Sequence, residues 1–550
     1  MPSMKAALLL ALLAGSLPAQ APRFKVVETG IPDMQEALRR KRITSRELVR
    51  LYLERIAIYE DHLNAALYVN PNALEEADRL DRERARGKVR GPLHGIPIAL
   101  KDNIHTTDMP TTGGALAFAG YKPPYDATLT RNLRDAGAII LAKTGLTELA
   151  NWVGGSPTPM PNTYNAVGGF AFNPYDPRRD PRPDADGRPV LTAGGSSSGI
   201  GTSASFWAAN VGTETSGSIL GPAQVLMLAA IKPTVGRISR YGVIPITADQ
   251  DTPGPMARTV SDAAILFGAL ESARPDSNDS ATTRCTPPPG RDYTRFLKKD
   301  ALKGARIGIP RAYYYEKLAS GGGGIGDAER ALMAEAIAVL RARGAIIVDP
   351  ADIPTFAELR SWSTCGGGDA AKGKDANCSI VFKYGMKRDF NAWLATLGPD
   401  APVKTLTELR EWNRAHAKAG AIRYGQSRLD ISDEMDVEAD RARYQADRAK
   451  DIRLAGTEGI DAVMKQHNLD ALLFPASGSY DIAAKPGYPT VIVPFGFVPN
   501  PSRQPFPAGF QPKPVPYAVS FTAMACAEPK LIGLAYAFEQ ATRKRVAPLP

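Results

Sequence analysis

Cysteine and histidine are scarce in this sequence. Four cysteines and five histidines occur among the 550 residues, and their irregular spacing fits neither a zinc site nor a dense disulfide framework. No metal ion and no other cofactor is therefore predicted. Cys365 and Cys378 flank a glycine-rich segment. A disulfide between them in an oxidising compartment and a pair of unpaired buried cysteines are both open interpretations.

A concentrated excess of one charge is also missing. The net charge is +10, but basic residues alternate with acidic ones, as in residues 78–86, and do not form the tracts that bind nucleic acid. The hydrophobic fraction of 44% and the charged fraction of 23% are typical of a globular protein. A nucleic-acid partner is therefore not predicted.

Long apolar runs are absent after the beginning of the chain. There, Lys5 precedes an apolar segment at residues 6–17, and Ala19 and Ala21 supply an Ala-x-Ala cleavage signal, which is the pattern of a secretory signal peptide. We expect residues 1–21 to be removed on export to the periplasm or the extracellular medium. No later run reaches the roughly 18 apolar residues that a membrane-spanning helix needs, so no membrane span is predicted.

Apolar strands and amphipathic helices alternate along residues 22–550, which we interpret as one catalytic domain. A helix is predicted at residues 128–136, and another begins at the capping-box pattern of residues 44–47, Thr-Ser-Arg-Glu. Residues 327–466 are polar and rich in helical patterns, which predicts a helical insertion. The alternation predicts an α/β fold with a mainly parallel sheet. Four segments are interpreted as buried strands: residues 96–100, 138–142, 471–475 and 490–494.

Two segments rich in glycine and serine lie close together in the sequence. They are residues 194–199, Gly-Gly-Ser-Ser-Ser-Gly, and residues 212–218, Gly-Thr-Glu-Thr-Ser-Gly-Ser. Glycine lets backbone N–H groups approach a ligand closely, and acyl transfer needs such donors beside a nucleophilic hydroxyl. Either segment alone is also typical of a flexible loop.

A lysine that directly follows an apolar strand favours the catalytic interpretation. Lys101 comes after residues 96–100, where desolvation can lower the pKa of an amine from about 10.4 by several units. A neutral Lys101 can act as a general base, with activity that rises toward alkaline pH. Lys143 follows a similar strand, and a charged side chain at a strand end is a sufficient structural explanation for it.

With these elements in place, the sequence resembles the amidase signature family. The resemblance covers residues 26–545 and includes a glycine turn before residues 491–494. Its main motifs occur in family order: the Lys101 strand, residues 137–150, the two glycine- and serine-rich segments, residues 232–237 (Lys-Pro-Thr-Val-Gly-Arg) and residues 251–260.

The resemblance implies a Ser-Ser-Lys triad. Ser218 matches the nucleophile, Lys101 the base, and Ser196 the serine that relays a proton between them. The interval between the two serines is shorter than in the family pattern, which leaves Ser197 as the alternative relay. Leu220 stands where many members carry arginine. The backbone N–H groups that match the oxyanion hole belong to Thr215, Ser216, Gly217 and Ser218.

The resemblance also implies a fold and an activity. The fold is an α/β/α sandwich around a mixed, mainly parallel sheet with helical insertions. The activity is hydrolysis of a small-molecule or peptide amide through an acyl-enzyme, by a monomer or a homodimer. Hydrolysis of esters or carbamates at the same site is one alternative, and a binding protein without turnover is another. A component of an amidotransferase that works on charged transfer RNA is a third alternative, and export would separate it from that partner.

Two further patterns suggest other chemistries. Gly195-x-Ser197-x-Gly199 fits the nucleophile elbow of α/β-hydrolases, whose histidine would have to be His416 or His467, both in settings more typical of structural residues. Residues 321–326 fit the spacing of a dinucleotide fingerprint, but they do not directly follow a strand. A flexible loop is the better interpretation of that segment.

Overall fold

Fifteen strands are present in the residues that the structure describes, namely 24–155, 158–194, 197–319, 321–367, 370–500 and 504–548. The structure is a computed structural model. The predicted signal peptide and Ser196 lie outside these residues. The strands are β1 (Ala66–Val69), β2 (Pro97–Lys101), β3 (Ile139–Thr144), β4 (Tyr164–Asn165), β5 (Gly169–Phe170), β6 (Ala209–Glu214), β7 (Ala229–Lys232), β8 (Thr252–Ala257), β9 (Arg306–Gly308), β10 (Ile346–Val348), β11 (Ser363–Thr364), β12 (Cys378–Ser379), β13 (Ala471–Pro475), β14 (Thr490–Val498) and β15 (Val515–Thr522).

Helices surround these strands. A π-helical segment, Arg453–Ile460, joins two of them. The α-helices are α1 (Ile31–Arg39), α2 (Ser45–Leu63), α3 (Ala73–Ala85), α4 (Thr128–Asp135), α5 (Ile200–Ser203), α6 (Leu220–Val225), α7 (Val260–Leu270), α8 (Asp327–Ala342), α9 (Phe356–Ser361), α10 (Val381–Ala395), α11 (Leu406–Ala415), α12 (Ser427–Asp433), α13 (Arg441–Ile452), α14 (Asp461–His467), α15 (Tyr480–Ala484) and α16 (Glu528–Thr542).

Eleven of the strands form one mixed sheet in the order β1-β3-β2-β6-β8-β7-β14-β15-β13-β9-β10. The α/β class and the mixed sheet are confirmed, but the expectation of a mainly parallel sheet is wrong. Six of the ten neighbouring pairs are antiparallel, and four are parallel. The parallel pairs lie in two groups on either side of an antiparallel centre.

Strand β8 accounts for much of this difference. Its sequence, Thr-Pro-Gly-Pro-Met-Ala, contains two prolines and a glycine, which normally argue against a central strand. The strand nevertheless pairs antiparallel with both β6 and β7. Antiparallel neighbours do not need the helical crossover that parallel strands require, so the helix–strand alternation in the sequence does not reveal them.

The strands and helices that local patterns predicted are present. Strands β2 and β3 are fully buried, and α4 lies between them in the chain. Helix α2 begins with the capping box of Thr44 and Glu47, in which each side chain bonds the backbone N–H of the other. Strands β13 and β14 join the main sheet as interior strands, and β14 lies near its centre. Local residue order therefore identified these elements correctly.

The stretch between residues 327 and 466 is mostly helical. Strand β10 within it joins the main sheet. Helices α10, α11 and α12 pack apolar side chains against residues 115–172 in a cluster separate from the main core. None of the helices in the described residues is long and apolar enough to span a membrane.

All four cysteines are paired. Cys365 and Cys378 form one disulfide, across 13 residues of sequence. Cys285 and Cys526 form a second, across 241 residues, and no sequence pattern pointed to this pairing. The second disulfide joins the proline-rich loop after α7 to the segment that precedes α16.

Candidate active site

Lys101 ends β2 between its two parallel neighbours, β3 and β6. Its side chain is fully buried. The amine Nζ donates to the Thr213 carbonyl oxygen at 3.1 Å and to the Thr213 Oγ1 at 3.0 Å, and Asn103 Nδ2 donates to the same hydroxyl oxygen at 3.0 Å. A neutral amine has two N–H groups and one lone pair. These two bonds occupy both N–H groups and leave the lone pair to accept a proton.

Burial makes the neutral form of Lys101 available. Desolvation lowers the pKa of Lys101 to about 7, and the nearby carboxylates of Asp251 and Glu214 oppose that change. A base with this pKa is largely neutral above pH 7. The rise in activity that the sequence predicted toward alkaline pH is therefore expected nearer neutrality, in the range where a histidine also titrates.

Ser218 lies in the turn that connects β6 to α6, and it is 7% exposed. One carboxylate oxygen of Glu214 accepts from the backbone N–H of Ile219 at 2.7 Å and of Leu220 at 2.9 Å. This closes the turn and caps the first turn of α6. Glu214 therefore engages the N–H groups that follow Ser218, and the oxyanion role of residues 215–218 stays a prediction.

Gly217 gives the turn its shape. Its φ is +88°, in the region that favours glycine. Its carbonyl oxygen accepts from the N–H of Gly221 at 2.8 Å. A methyl group at Gly217 would stand 3.3 Å from the Tyr480 ring. The residue before Ser218 thus needs both the conformational freedom and the small size of glycine.

Asp251 holds the other end of the same turn. Its carboxylate accepts from the hydroxyl of Thr215 and from the backbone N–H groups of Ile246 at 2.8 Å and Thr247 at 3.0 Å. Gln250 Nε2 donates to the Thr215 carbonyl at 3.2 Å. Burial raises the pKa of Asp251 to about 7 despite these bonds. The loop of residues 246–251 therefore clamps the turn and places a carboxylate near Lys101.

The segment that contains Ser196 is flanked by contacts with the same elements. A methyl group at Gly194 would lie 2.7 Å from the Pro222 nitrogen in α6, and one at Gly212 in β6 would lie 3.3 Å from Ser198 Oγ. The chain thus approaches α6 just before Ser196 and β6 just after it. Ser196 itself lies outside the described residues, so its predicted role stays a prediction.

Lys143 has a structural role. It is fully buried at the end of β3, and its Nζ forms an ion pair with Asp102 Oδ1 at 3.1 Å. Nζ also donates to Thr111 Oγ1 at 2.7 Å. Lys143 therefore resembles Lys101 in strand position and burial but has a carboxylate as direct partner, which the sequence did not reveal.

The two histidines that the nucleophile-elbow interpretation requires make contacts with other residues. His416 stacks on Trp412 with ring centroids 3.8 Å apart, and its Nδ1 lies 2.8 Å from the Trp412 carbonyl oxygen. His467 ends α14, and its carbonyl accepts from Arg306. Residues 191–194, which precede the elbow pattern, are irregular, whereas the elbow follows a strand.

The sequence patterns assigned no role to Thr213, Asn103 or Asp251. Thr213 and Asp251 both stand inside motifs that the resemblance singled out, and Asn103 follows Lys101 by two residues. Their position in those motifs was the available signal. The contacts of Thr213 with Lys101 and Asn103 depend on the pairing of β2 with β6, and the contact of Asp251 with Thr215 depends on the pairing of β6 with β8. A single sequence reveals neither pairing.

Known proteins resemble this chain over most of its length. The amidase family model matches residues 47–532. A probable amidase of Arabidopsis thaliana is 33% identical over 533 residues, which cover 96% of this chain and 92% of the plant protein. The native peptide amidase from Stenotrophomonas maltophilia, an X-ray structure, is 35% identical with a TM-score of 0.79 and covers 95% of this chain and 98% of its own.

A third relative matches over a shorter stretch. It is one of the subunits of the glutamyl-tRNA(Gln) amidotransferase of Chloroflexus aurantiacus, and it is 40% identical over 316 residues, which cover 57% of this chain and 58% of the relative. The likeness to this amidotransferase is therefore partial, whereas the likeness to the two amidases extends over almost the whole of each chain.

Proposed function

The chain belongs to the amidase family, and from that premise we propose that it hydrolyses carboxylic amides through Ser218, Ser196 and Lys101. The observation that carries the proposal is the state of Lys101. Its pKa is lowered to about 7 by burial, and both of its Nζ hydrogen bonds go to Thr213, on the strand that leads directly into the Ser218 turn. A neutral amine at this place has the properties of a general base.

The proposed reaction has two halves. Ser218 gives its hydroxyl proton to Ser196, Ser196 gives its own proton to Lys101, and Ser218 Oγ attacks the amide carbon. The carbon–nitrogen bond breaks as the proton returns along the same path to the departing amine. Water then repeats the sequence on the acyl-enzyme, releasing the acid and restoring Ser218.

Charge on the carbonyl oxygen needs stabilising in both halves. We assign this role to the backbone N–H groups of residues 215–218, because Glu214 already engages those of Ile219 and Leu220. Donors fixed before the reaction lower the barrier without reorganising, and losing one such donor typically costs about 10²–10³ in kcat. The contacts of Asp251 with Thr215 support this preorganisation.

The substrate is proposed to be a small-molecule or peptide amide. The full-length match to a peptide amidase favours it over the transfer-RNA role of the amidotransferase that matches only 57% of this chain. Esters and carbamates are alternative substrates of the same site, since they form the same acyl-enzyme with a better leaving group.

Export is proposed on two grounds. The first is the leader pattern of residues 1–21. The second is the pairing of all four cysteines, because structural disulfides persist mainly in oxidising compartments. Expression with its own leader in an export-competent bacterium should give a mature protein that begins near residues 20–24. Protein confined to the cytosol with Met1 intact would contradict export.

The catalytic proposal is tested by active-site labelling. A fluorophosphonate should modify Ser218 in the wild type, and Lys101→Ala should abolish the labelling while circular dichroism stays unchanged. Hydrolysis of a panel of aryl and peptide amides should be lost in parallel. Adduct on Ser197 would favour the nucleophile elbow, and Ser197→Ala that is more damaging than Ser196→Ala would move the relay role to Ser197.

A further inference from the structure

A cleft of about 390 Å³ lies beside the Ser218 turn. It is formed by the loop after β9, the beginning of α9, and the loop that leads from β13 into α15. Four aromatic side chains and one carboxylate dominate its lining: Tyr313, Tyr314, Phe356, Tyr480 and Asp481. The cleft is therefore mainly apolar, with a single acidic group.

Two contacts tie the cleft to the nucleophile. The ring of Tyr480 lies over Gly217, the residue before Ser218, while 44% of Tyr480 stays exposed. Ser477 Oγ donates to Gln224 Oε1 at 2.9 Å, which joins the cleft to α6, the helix that begins two residues after Ser218. The cleft therefore adjoins the turn that contains Ser218.

The aromatic rings present faces suited to a planar or cationic group. Tyr313 and Phe356 lie with ring centroids 4.6 Å apart at 30°. Arg360, the cationic residue of the cleft, already stands over the Tyr313 ring with Cζ 5.9 Å from its centroid. A ring face attracts a guanidinium or ammonium group electrostatically.

Asp481 is the acidic group of the cleft. Lys485 follows α15, and its Nζ forms an ion pair with Asp451 Oδ1 at 2.7 Å. No ion pair among the described residues includes Asp481. Asp481 is exposed at the edge of the cleft. Neighbouring protein atoms still raise the pKa of its carboxyl group, and Lys485 partly offsets this. A carboxylate in such a place is stabilised by a cation that comes with the ligand.

We propose that this cleft makes the protein selective for amides that carry a guanidinium or ammonium group, held by Asp481 and by the aromatic faces. The proposal rests on the amide hydrolysis proposed above and names the substrate class of the same site. Neutral aromatic amides are the alternative, since the rings alone would accept them.

The test compares two substrates that differ in charge and little else. Arginine amide carries a guanidinium, and citrulline amide carries a neutral urea of nearly the same shape. We expect wild-type kcat/KM to favour the arginine amide by tenfold or more, and Asp481→Asn to bring the ratio close to one. Asp481→Lys should reverse the preference in favour of glutamate amide. Asp327→Asn, at a carboxylate that is 96% exposed, should leave the ratio unchanged.

A binding measurement tests the proposed charge selectivity of the cleft independently of the proposed hydrolysis. Ser218→Ala protein should bind arginine amide at least tenfold more tightly than citrulline amide by calorimetry, whether or not the wild type turns either over. Equal binding and equal kcat/KM of the two amides would overturn the cleft assignment. Absence of hydrolysis with retained charge selectivity would instead contradict only the reaction.

Discussion

Replacing Lys101 with methionine tests whether the lysine is kept at the expense of stability. A fall in the pKa of Lys101 from 10.5 to about 7 lowers the free energy of unfolding by about 5 kcal/mol at pH values where Lys101 is protonated in both the folded and the unfolded state. Lys101→Met should therefore eliminate activity and raise Tm relative to wild type at pH 6.

The sign of this effect changes with pH in a defined way. Between pH 7 and 10.5 the unfolded chain keeps a proton on Lys101 that the folded chain has lost, so wild-type stability rises with pH across that window. The advantage of the methionine variant should shrink from pH 6 to pH 10. Calorimetric scans across this range measure it, and a variant less stable than wild type at pH 6 would contradict burial as the cause of the low pKa.

Asp251 should set the pH at which the enzyme becomes active. Its negative charge favours the protonated form of Lys101, so Asp251→Asn should lower the pKa of the lysine and shift the midpoint of the kcat profile to lower pH by about one unit. The maximal rate should be largely retained, because one oxygen of Asp251 accepts both backbone bonds, so the amide oxygen can keep them while the amide nitrogen donates to the Thr215 hydroxyl oxygen.

A neighbouring carboxylate provides the control for that experiment. Asp249 belongs to the same loop but pairs with Arg388 and Arg448. Asp249→Asn should leave the midpoint where it is in the wild type. If the kcat profile of the Asp251 variant had the same pH midpoint as that of the wild type, the charge of Asp251 would not influence the pKa of Lys101.

At the scale of single elements, the β6–α6 turn contains a matched pair of glycines. Gly217→Ala forces alanine into a φ of +88° and against Tyr480, which should displace Ser218 and reduce kcat by about 10². Gly221→Ala, within α6, introduces a methyl group that meets no atom within 4 Å outside the adjacent residues. Because alanine before Pro222 is disfavoured in a helix, we expect no gain in stability and a kcat close to that of the wild type. Similar activities for the two variants would show that the turn tolerates alanine at both positions.

Elements that depend on local residue order were predictable from the sequence. The capping box of α2, the apolar runs of β2 and β3, and the position of Lys101 at a strand end all rest on neighbouring residues, and the structure places them as expected. The amidase motifs also located the Ser218 turn, although its catalytic role stays a prediction.

Features that depend on distant partners were not predictable. The antiparallel placement of β8 arises from pairing with two strands, and the bond between Cys285 and Cys526 spans 241 residues. Residues 149–151, Leu-Ala-Asn, have φ values of 42°, 55° and 71°. Residues other than glycine normally avoid this left-handed backbone region. Only surrounding structure can impose such a conformation.

At the scale of the whole molecule, the two disulfides should differ in their contribution to stability. In the loop-closure model, a link across 241 residues stabilises by about 5 kcal/mol and one across 13 residues by about 3 kcal/mol. The double variant Cys285→Ala/Cys526→Ala should therefore lose more stability in urea unfolding than Cys365→Ala/Cys378→Ala. The opposite order would indicate that strain or residual structure outweighs loop entropy.

The position of β14 and β15 in the sheet has a consequence for the order of synthesis. These strands lie between β7 and β13, yet they are the last two strands along the chain. Until the ribosome has made residues 490–522, the strands already synthesised can form only two separate sheets with unpaired edges. The nascent polypeptide thus cannot complete its core, which fits the export proposed above, in which the chain would pass through a translocation pore before it folds.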